Sequence, residues 1–160
     1  MGEEESKVQD LTKIEEFLYL GNFFAACEER VIRDHGIMHV VQLFEVEPHH
    51  SVKRLVIPIR GGRTTDVTPV LGKALSYIER AINMGETVLV HCKHGRNRSA
   101  SIVIAYLMAK KKWDFDTAFQ YVHTKRPILR IKPKVIKKLT EMTQSELDSL
   151  LHSNTEEIIT

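Results

Sequence analysis

The stretch from Val88 to Ser101 constrains the fold and the chemistry of this chain more than any other. Residues 87–90 are β-branched or apolar, which is typical of a buried strand. Residues 91–98 form a short polar loop, and residues 99–111 are mostly apolar without Gly or Pro, which predicts a helix. A strand, a tight loop and a helix N-terminus in this order predict an anion site, because successive loop N–H groups can point into one concavity and the helix dipole adds partial positive charge.

The side chains of this stretch add a nucleophile. Cys92 is at the end of the predicted strand, and Arg98 follows six positions later at the start of the predicted helix. Nearby N–H donors and a guanidinium favour the thiolate, which is the nucleophilic form of cysteine. The planar fork of Arg98 fits two oxygens of a phosphate, and Ser99 can donate to the sulfur when it leaves. The pattern predicts phosphoryl transfer to Cys92 and then to water, with Cys92, Arg98 and Ser99 as catalytic residues.

The residues between Cys92 and Arg98 are expected to bind the substrate. Gly95 allows the backbone to turn inward where a Cβ atom would obstruct it. The other residues of this group are Lys93, His94, Arg96 and Asn97. A buried strand cysteine is also a common structural residue, but the joint pattern of strand, His-Cys, glycine, arginine, serine and helix favours the catalytic interpretation.

This loop resembles the signature loop of the cysteine-dependent protein tyrosine phosphatases, in particular the small atypical dual-specificity phosphatases. Similar residues extend over about residues 15 to 140: Phe17 to Asn22, Ala26, Gly36 to Val41, Ile57-Pro58, Ala105 to Met108 and Lys125 to Pro127. The resemblance implies a phosphocysteine mechanism, neither cofactor nor metal, and phosphoprotein substrates carrying phosphotyrosine and also phosphoserine or phosphothreonine.

The chain departs from the family pattern where the general acid is usually found. The family usually has an aspartate after the strand that here ends at Ile59, but this chain has Arg60. Asp66 is the only carboxylate between Pro48 and Ile78, so it is the candidate acid. The alternative is that Asp66 caps the loop or the following helix, for which Thr68 is the predicted N-cap. A slow enzyme without an acid is a further alternative.

Two other departures concern the loop and the segment beyond it. Asn97 replaces the serine that commonly precedes the loop arginine, and Lys132 replaces an asparagine. Residues 91–140 hold thirteen Lys/Arg and two Asp/Glu, although the chain as a whole has 23 and 21. This basic half should attract anionic substrates. Its segment 126–138 lacks the interleaved aromatics of nucleic-acid binding, so we expect either an active-site rim or a solvated face, and no nucleic-acid partner.

Two other functions remain open at the level of the sequence. The charges of Lys93 and Arg96 resemble the loop of phosphoinositide phosphatases, so a lipid or nucleotide phosphatase on the same fold is one alternative. The absence of the usual aspartate suggests the other, a weakly active or inactive phosphate-binding pseudophosphatase. The presence of Cys92, Arg98 and Ser99 favours an enzyme over this second alternative.

The alternation of strands and helices predicts one α/β domain with a central, mostly parallel twisted sheet and helices on both faces. Strands are predicted over residues 14–20, 37–44, 53–59 and 86–91. Helices are predicted over 23–34, 68–83 and 99–111, from the cap at Asp114 to before Pro127, and from Pro133 to about Leu151. Residues 1–12 are predicted to be a flexible segment, 13–145 the catalytic domain, and 146–160 a loosely ordered tail.

The composition predicts a reducing compartment, the cytoplasm or alternatively the nucleus. The two cysteines, Cys27 and Cys92, do not suggest a disulfide framework, and a thiolate nucleophile needs reducing conditions. Residues 1–9 are acidic and polar, unlike a secretory signal, and no apolar run reaches the ~18 residues of a membrane span. His49 and His50 have no partners at zinc spacing, so no metal is expected.

Overall fold

The sheet is arranged around its central strand, which is the one that leads into the loop. The computed structural model describes residues 10–153. Five strands form one sheet in the order β1-β2-β5-β3-β4. Their bounds are Leu11–Glu15 (β1), Leu18–Gly21 (β2), Ile37–Gln42 (β3), Lys53–Val56 (β4) and Thr87–His91 (β5). β1 is antiparallel to β2, and the other pairings are parallel. β5 is the middle strand of the sheet, and its carboxyl end is where such folds bind ligands.

Helices cover both faces of the sheet. Their bounds are Phe23–Cys27 (α1), Glu29–Asp34 (α2), Thr68–Asn83 (α3), Arg98–Lys111 (α4), Phe115–Lys125 (α5), Pro133–Glu141 (α6) and Gln144–Leu151 (α7). α4 is the central helix, since every residue from Ser99 to Ala109 is buried. This is expected of a helix that is apolar on all sides.

The alternation of side chains along β5 divides the core into two clusters. Val88 and Val90 belong to the larger cluster, which includes the buried side chains of α4. Leu89 belongs to a smaller cluster with Ala26 and Ile32 from α1 and α2. Successive side chains of a strand point to opposite faces, so β5 is covered on both sides and its end is held rigidly.

The predicted fold class is confirmed, because a mostly parallel sheet lies between helices and the loop joins a strand to a buried helix. None of the helices described within residues 10–153 is long and apolar enough to cross a membrane.

The structure corrects the predicted elements before the loop. The strand predicted over residues 14–20 is a hairpin of β1 and β2. The helix predicted over residues 23–34 is divided at Glu28, whose backbone is extended with φ −86° and ψ 118°. The division occurs because the carbonyl of Cys27 accepts the N–H of His49 at 2.9 Å rather than a helical one. The strands predicted over 37–44 and 53–59 end at Gln42 and Val56.

The predicted cap of the helix at residue 68 is also corrected. The N-cap position is Val67, which makes no side-chain capping hydrogen bond, and Thr68 is the first helical residue. Its N–H instead donates to the carboxylate of Asp66 at 3.0 Å. The predicted cap by Asp114 is confirmed, since its side chain accepts the N–H of Thr117 at 2.8 Å.

The predicted domain bounds are too narrow at both ends. Residues 146–151, assigned to a loose tail, belong to α7, which buries Leu147 and Leu151 against the core. The last predicted helix is two helices, with Met142 extended between them. At the other end Asp10 and β1 are ordered parts of the domain, and residues 1–9 and 154–160 lie outside the described residues.

Candidate active site

Cys92 follows β5 directly and lines a pocket of about 340 Å³. Its side chain is 2% exposed. The N–H of Gly95 donates to Sγ at 3.3 Å, and the hydroxyl oxygen of Ser99 lies 3.2 Å from Sγ. Hydrogen bonds donated to sulfur favour the thiolate, so the two contacts suit a nucleophile and later a leaving group. The predicted proximity of Cys92 and Ser99 is confirmed.

The carbonyl groups of the loop all accept hydrogen bonds from the surrounding protein. This holds for each residue from Cys92 to Asn97. The acceptor–donor pairs are Cys92 O with His91 Nδ1, Lys93 O with Phe23 N, His94 O and Gly95 O with Arg126, Arg96 O with Arg130 N, and Asn97 O with Ser101 N. The C=O and N–H of one peptide point in opposite directions. Carbonyls engaged in this way leave the loop N–H groups available to the pocket, which is what the predicted anion cradle requires.

Arg126 fixes the middle of this loop from behind. Its side chain is 1% exposed, and its Nε donates to Gly95 O at 2.8 Å while Nη2 donates to His94 O at 3.2 Å. The remaining N–H groups donate to the carboxylate of Asp10 at 2.8 and 3.0 Å and to the hydroxyl of Thr12 at 2.9 Å. All five donors of the guanidinium are thus bound, and its charge is paired, as burial requires.

Gly95 has two reasons to be glycine. Its φ is +67°, a left-handed conformation that costs a side-chain residue energy. A Cβ atom would lie 2.6 Å from Nη2 of Arg126 and 2.6 Å from the carbonyl oxygen of Gly21. The predicted need for glycine at this turn is confirmed, and the structure adds its physical cause.

Arg98 lies against the wall of the pocket. Nη1 donates to the carbonyl of Ile59 at 3.0 Å, and the guanidinium carbon lies 5.7 Å from the centre of the Phe44 ring. A Cβ atom at Gly61 would be only 3.1 Å from that carbon, so the guanidinium occupies space that a side chain at 61 would fill. Arg98 and Cys92 line one pocket, as the sequence predicts.

The far side of the pocket is formed by the segment after α5. Arg130 and Lys132 line it together with His94, Arg96 and Asn97 of the loop. The segment is tied to the loop through the main chain: Arg130 N–H donates to Arg96 O at 3.0 Å, and Lys132 N–H donates to Oδ1 of Asn97 at 3.0 Å. Asn97 thus joins the loop to the rim, a contact that the shorter serine side chain would not span.

The histidines around Cys92 are both neutral at neutral pH. Burial lowers the pKa of His91 to about 4, against the effect of its hydrogen bond to the carbonyl of Cys92 at 3.1 Å. A neutral ring with the proton on Nδ1 can donate this bond, as expected of a residue that orients the loop. Partial burial and then the positive charges of neighbouring loop residues lower the pKa of His94, which lines the pocket.

Asp66, the candidate acid, makes contacts away from this pocket. Its Oδ1 accepts the N–H of Thr68 and its Oδ2 lies 3.6 Å from Nζ of Lys138. Burial tends to raise its pKa, but these hydrogen bonds and lysine charges outweigh it and hold the pKa below the ordinary value. The loop before it is fastened by Thr65, whose hydroxyl lies 3.0 Å from Arg60 O and 2.8 Å from Gly62 O. The structure shows the capping contact of Asp66, and its role as an acid stays a prediction.

Several residues of the site were not assigned a role in the sequence. Arg130 and Lys132 lie in the basic segment 126–138, whose interpretation as an active-site rim they support. Lys93 is exposed and is absent from the residues lining the pocket, although it lies in the loop. Arg126 could be singled out only through the family resemblance, because nothing else in the sequence indicates that its side chain is buried.

Comparisons with known proteins agree with this geometry. The family model described as "Dual specificity phosphatase, catalytic domain" matches residues 18–145. The chain is 33% identical over 141 residues to Dual specificity protein phosphatase 1B of Arabidopsis thaliana, covering 86% of this chain and 84% of that protein. It is 31% identical over 136 residues to Dual specificity protein phosphatase 1 of the same plant, covering 82% and 68%.

A solved structure shows the same fold. The crystal structure of a single-residue variant of human DUSP28 superposes with a TM-score of 0.78 at 29% identity, covering 86% of this chain and 98% of the other. The family match spans most of the described residues, including the loop, the buried helix after it and the rim. The chain therefore belongs to the dual specificity phosphatase family.

Proposed function

We propose that this protein phosphatase hydrolyses phosphotyrosine, and also phosphoserine and phosphothreonine, with Cys92 as its nucleophile. The thiolate sulfur forms a bond to phosphorus while the ester oxygen leaves. Water then forms a bond to phosphorus, the P–S bond breaks, and phosphate is released as Cys92 returns to the thiolate. Ser99 donates a hydrogen bond to the sulfur in this second step.

The observation that carries this proposal is that every loop carbonyl around the buried Cys92 accepts a hydrogen bond from the surrounding protein. A phosphate seated over Sγ would meet inward N–H groups that are already in place and need no reorganisation. Arg98 would exchange the neutral carbonyl of Ile59 for two phosphate oxygens, which form stronger, charge-assisted hydrogen bonds. His94, Arg96 and Asn97 extend this anion-binding surface along the pocket, and Lys93 adds a positive charge to the loop outside its lining.

The test is turnover of a phosphotyrosine peptide by Cys92→Ser, with Cys27→Ser as the matched control. Cys27 is the other buried free cysteine and belongs to α1, outside the pocket. We expect Cys92→Ser to abolish phosphate release but to retain peptide binding, since the cradle remains, and Cys27→Ser to retain turnover. Turnover by Cys92→Ser at the wild-type rate would rule out the covalent mechanism.

The phosphoinositide and pseudophosphatase alternatives are decided by the same assay. The family match and the relatives support protein substrates, and Cys92, Arg98 and Ser99 are assembled as an enzyme requires. Faster turnover of phosphoinositides than of phosphopeptides would favour the lipid alternative. Binding without turnover by the wild-type protein would favour the pseudophosphatase.

We also propose that the protein acts in the cytoplasm or the nucleus, on phosphoproteins. The support is chemical, since a thiolate nucleophile is lost to oxidation outside a reducing compartment. Imaging of the tagged full chain in its own cells would test this proposal.

A further inference from the structure

The charge of the pocket is not balanced by any carboxylate. Among residues 10–153, the pocket has four arginine and lysine residues on its lining and neither Asp nor Glu; the four are Arg96, Arg98, Arg130 and Lys132. One phosphate monoester would occupy Arg98 and the loop N–H groups. The other three cations have no ion pair to a carboxylate of the described residues, so no carboxylate within residues 10–153 neutralises them.

Among the described residues, no carboxyl group lines this pocket to protonate the leaving oxygen. An alkoxide from serine or threonine is a strong base and leaves slowly without a proton, while the tyrosine hydroxyl has a pKa of about 10. Among the described lining residues there is neither Asp nor Glu, and burial together with the neighbouring cations lowers the pKa of His94, which disfavours its protonated form. A leaving group that departs as an anion suits this pocket better than one that needs a proton.

We propose that this site also hydrolyses the terminal phosphoanhydride of a polyphosphate chain, with Arg130 and Lys132 binding the leaving phosphate. A phosphate leaving group spreads its charge over several oxygens and needs no acid, and cations stabilise the charge as it develops. The proposal rests on the phosphocysteine mechanism described above, because it uses the same nucleophile and loop.

The reaction balances without a further reagent. The Cys92 thiolate forms a bond to the terminal phosphorus while the bond from that phosphorus to the bridging oxygen breaks. The electron pair stays on that oxygen, which becomes a terminal oxygen of the released phosphate chain beside Arg130 and Lys132. Water then displaces the sulfur, and its proton passes to solvent or to the released phosphate.

The two cationic side chains can be removed without dismantling the loop. Arg130 and Lys132 support the loop through their main-chain N–H groups, and their side chains make no hydrogen bond to the described residues. Arg130→Ala and Lys132→Ala therefore retain these contacts. Lys137→Ala is the matched control, since it removes one exposed positive charge from α6 outside the pocket lining.

The experiment measures phosphate release by the full chain from linear tripolyphosphate, from a nucleoside 5′-triphosphate and from p-nitrophenyl phosphate. We expect wild-type turnover of tripolyphosphate, lost in Cys92→Ser. In the double variant Arg130→Ala/Lys132→Ala the ratio of kcat/KM for tripolyphosphate to that for the aryl ester should fall about tenfold or more, as for loss of preorganised charge. Lys137→Ala should leave this ratio within about twofold, as expected of a solvated charge.

Each outcome decides between the two activities. Turnover of the aryl ester but not of tripolyphosphate, or a ratio unchanged in the double variant, would overturn the anhydride proposal and leave the phosphatase intact. No Cys92-dependent turnover of any substrate would instead remove the proposed function. Turnover of tripolyphosphate but not of the nucleotide would identify inorganic chains as the source of the anhydride.

Discussion

Arg98 is held on three sides before any phosphate arrives. The carbonyl of Ile59, the ring of Phe44 and the backbone of Gly61 surround its planar guanidinium along the pocket wall. A planar group held in advance loses little freedom when it binds two oxygens of a phosphate. The geometry therefore indicates that the planar shape of this side chain contributes to phosphate binding in addition to its charge.

Replacing Arg98 with lysine should separate shape from charge. Arg98→Lys keeps one positive charge but loses the planar fork that binds two phosphate oxygens at once. We expect kcat/KM on a phosphotyrosine peptide to fall by an amount equivalent to about 2–4 kcal/mol of transition-state stabilisation. An Arg98→Lys enzyme close to wild type would show that the phosphate is bound by other groups.

Asp66 leads to a prediction about leaving groups. It is ionised at neutral pH, caps Thr68 and faces Lys138, so we expect it not to protonate the leaving oxygen. Wild-type rates on a series of aryl phosphates should then depend steeply on the leaving-group pKa, and Asp66→Asn should leave that dependence unchanged. A flat dependence in the wild type that becomes steep in Asp66→Asn would establish Asp66 as the acid.

The loop residues could be predicted because they are consecutive in the sequence. Cys92, Gly95, Arg98 and Ser99 all lie within eight positions, so the local strand–loop–helix geometry is enough to bring them together. Arg126, Arg130 and Lys132 could not be given roles in the same way. They reach the loop from about thirty positions away, and only the packing of α5 and the following segment brings them there.

At the scale of elements, hydrophobic periodicity located the helices but not their ends. A tertiary hydrogen bond accompanies the division of α1 from α2, since the N–H of His49 donates to the carbonyl of Cys27 that would accept a helical N–H in a continuous helix. Such a bond joins residues that are far apart in sequence, and no local pattern predicts it. The end of α6 at Glu141 does have a local signal, which is the cap that begins the next helix.

That cap is a complete capping box at the start of α7. The Thr143 hydroxyl accepts the N–H of Glu146 at 3.1 Å, and the Glu146 carboxylate accepts the N–H of Thr143 at 3.1 Å. The sequence pattern Thr-x-x-Glu ahead of Leu147 is the recognised signal for this arrangement. It directs α7 back onto the core, where Leu147 and Leu151 are buried.

Removing the cap should destabilise the whole domain. Thr143→Ala leaves the N–H of Glu146 without its partner, and we expect the free energy of unfolding in denaturant to fall by about 1 kcal/mol. Thr140→Ala on the exposed side of α6 is the matched control and should change it by less than about 0.5 kcal/mol. Equal effects of the two substitutions would mean that the capping box does not stabilise α7.

At the scale of the whole molecule, the fold surrounds the loop with partners from distant parts of the chain. The loop is bound by Phe23 at the start of α1 and by Arg126 after α5. Arg126 is bound in turn by Asp10 and Thr12 near the start of the described residues. Unfolding of any of these regions would release loop carbonyls toward the pocket and weaken the anion cradle. Stability and phosphate binding are therefore coupled, and His91, buried under the loop, makes this coupling depend on pH.

His91 predicts the sign of the pH dependence of stability. Its pKa is lowered from 6.5 to about 4 in the folded protein, chiefly by burial. Between pH 4 and 6.5, His91 is protonated in the unfolded chain but not in the native state, so the free energy of unfolding rises with pH. This stability is fully present above about pH 6.5 and is lost as the pH falls toward about 4. The carboxyl groups with lowered pKa, Glu15, Asp66 and Asp114, lose their stabilising effect mostly at lower pH.

The measurement is the free energy of unfolding in denaturant at several pH values between about 5 and 7, a range in which His91 contributes about 2 kcal/mol. We expect His91→Asn, which cannot titrate and can still donate to the Cys92 carbonyl, to remove most of this rise. The matched control His49→Asn replaces an exposed histidine of the loop before β4 and should keep the wild-type slope. If His91→Asn kept that slope as well, the proton taken up on unfolding would belong to another group, and His91 would not be the neutral donor that orients the loop.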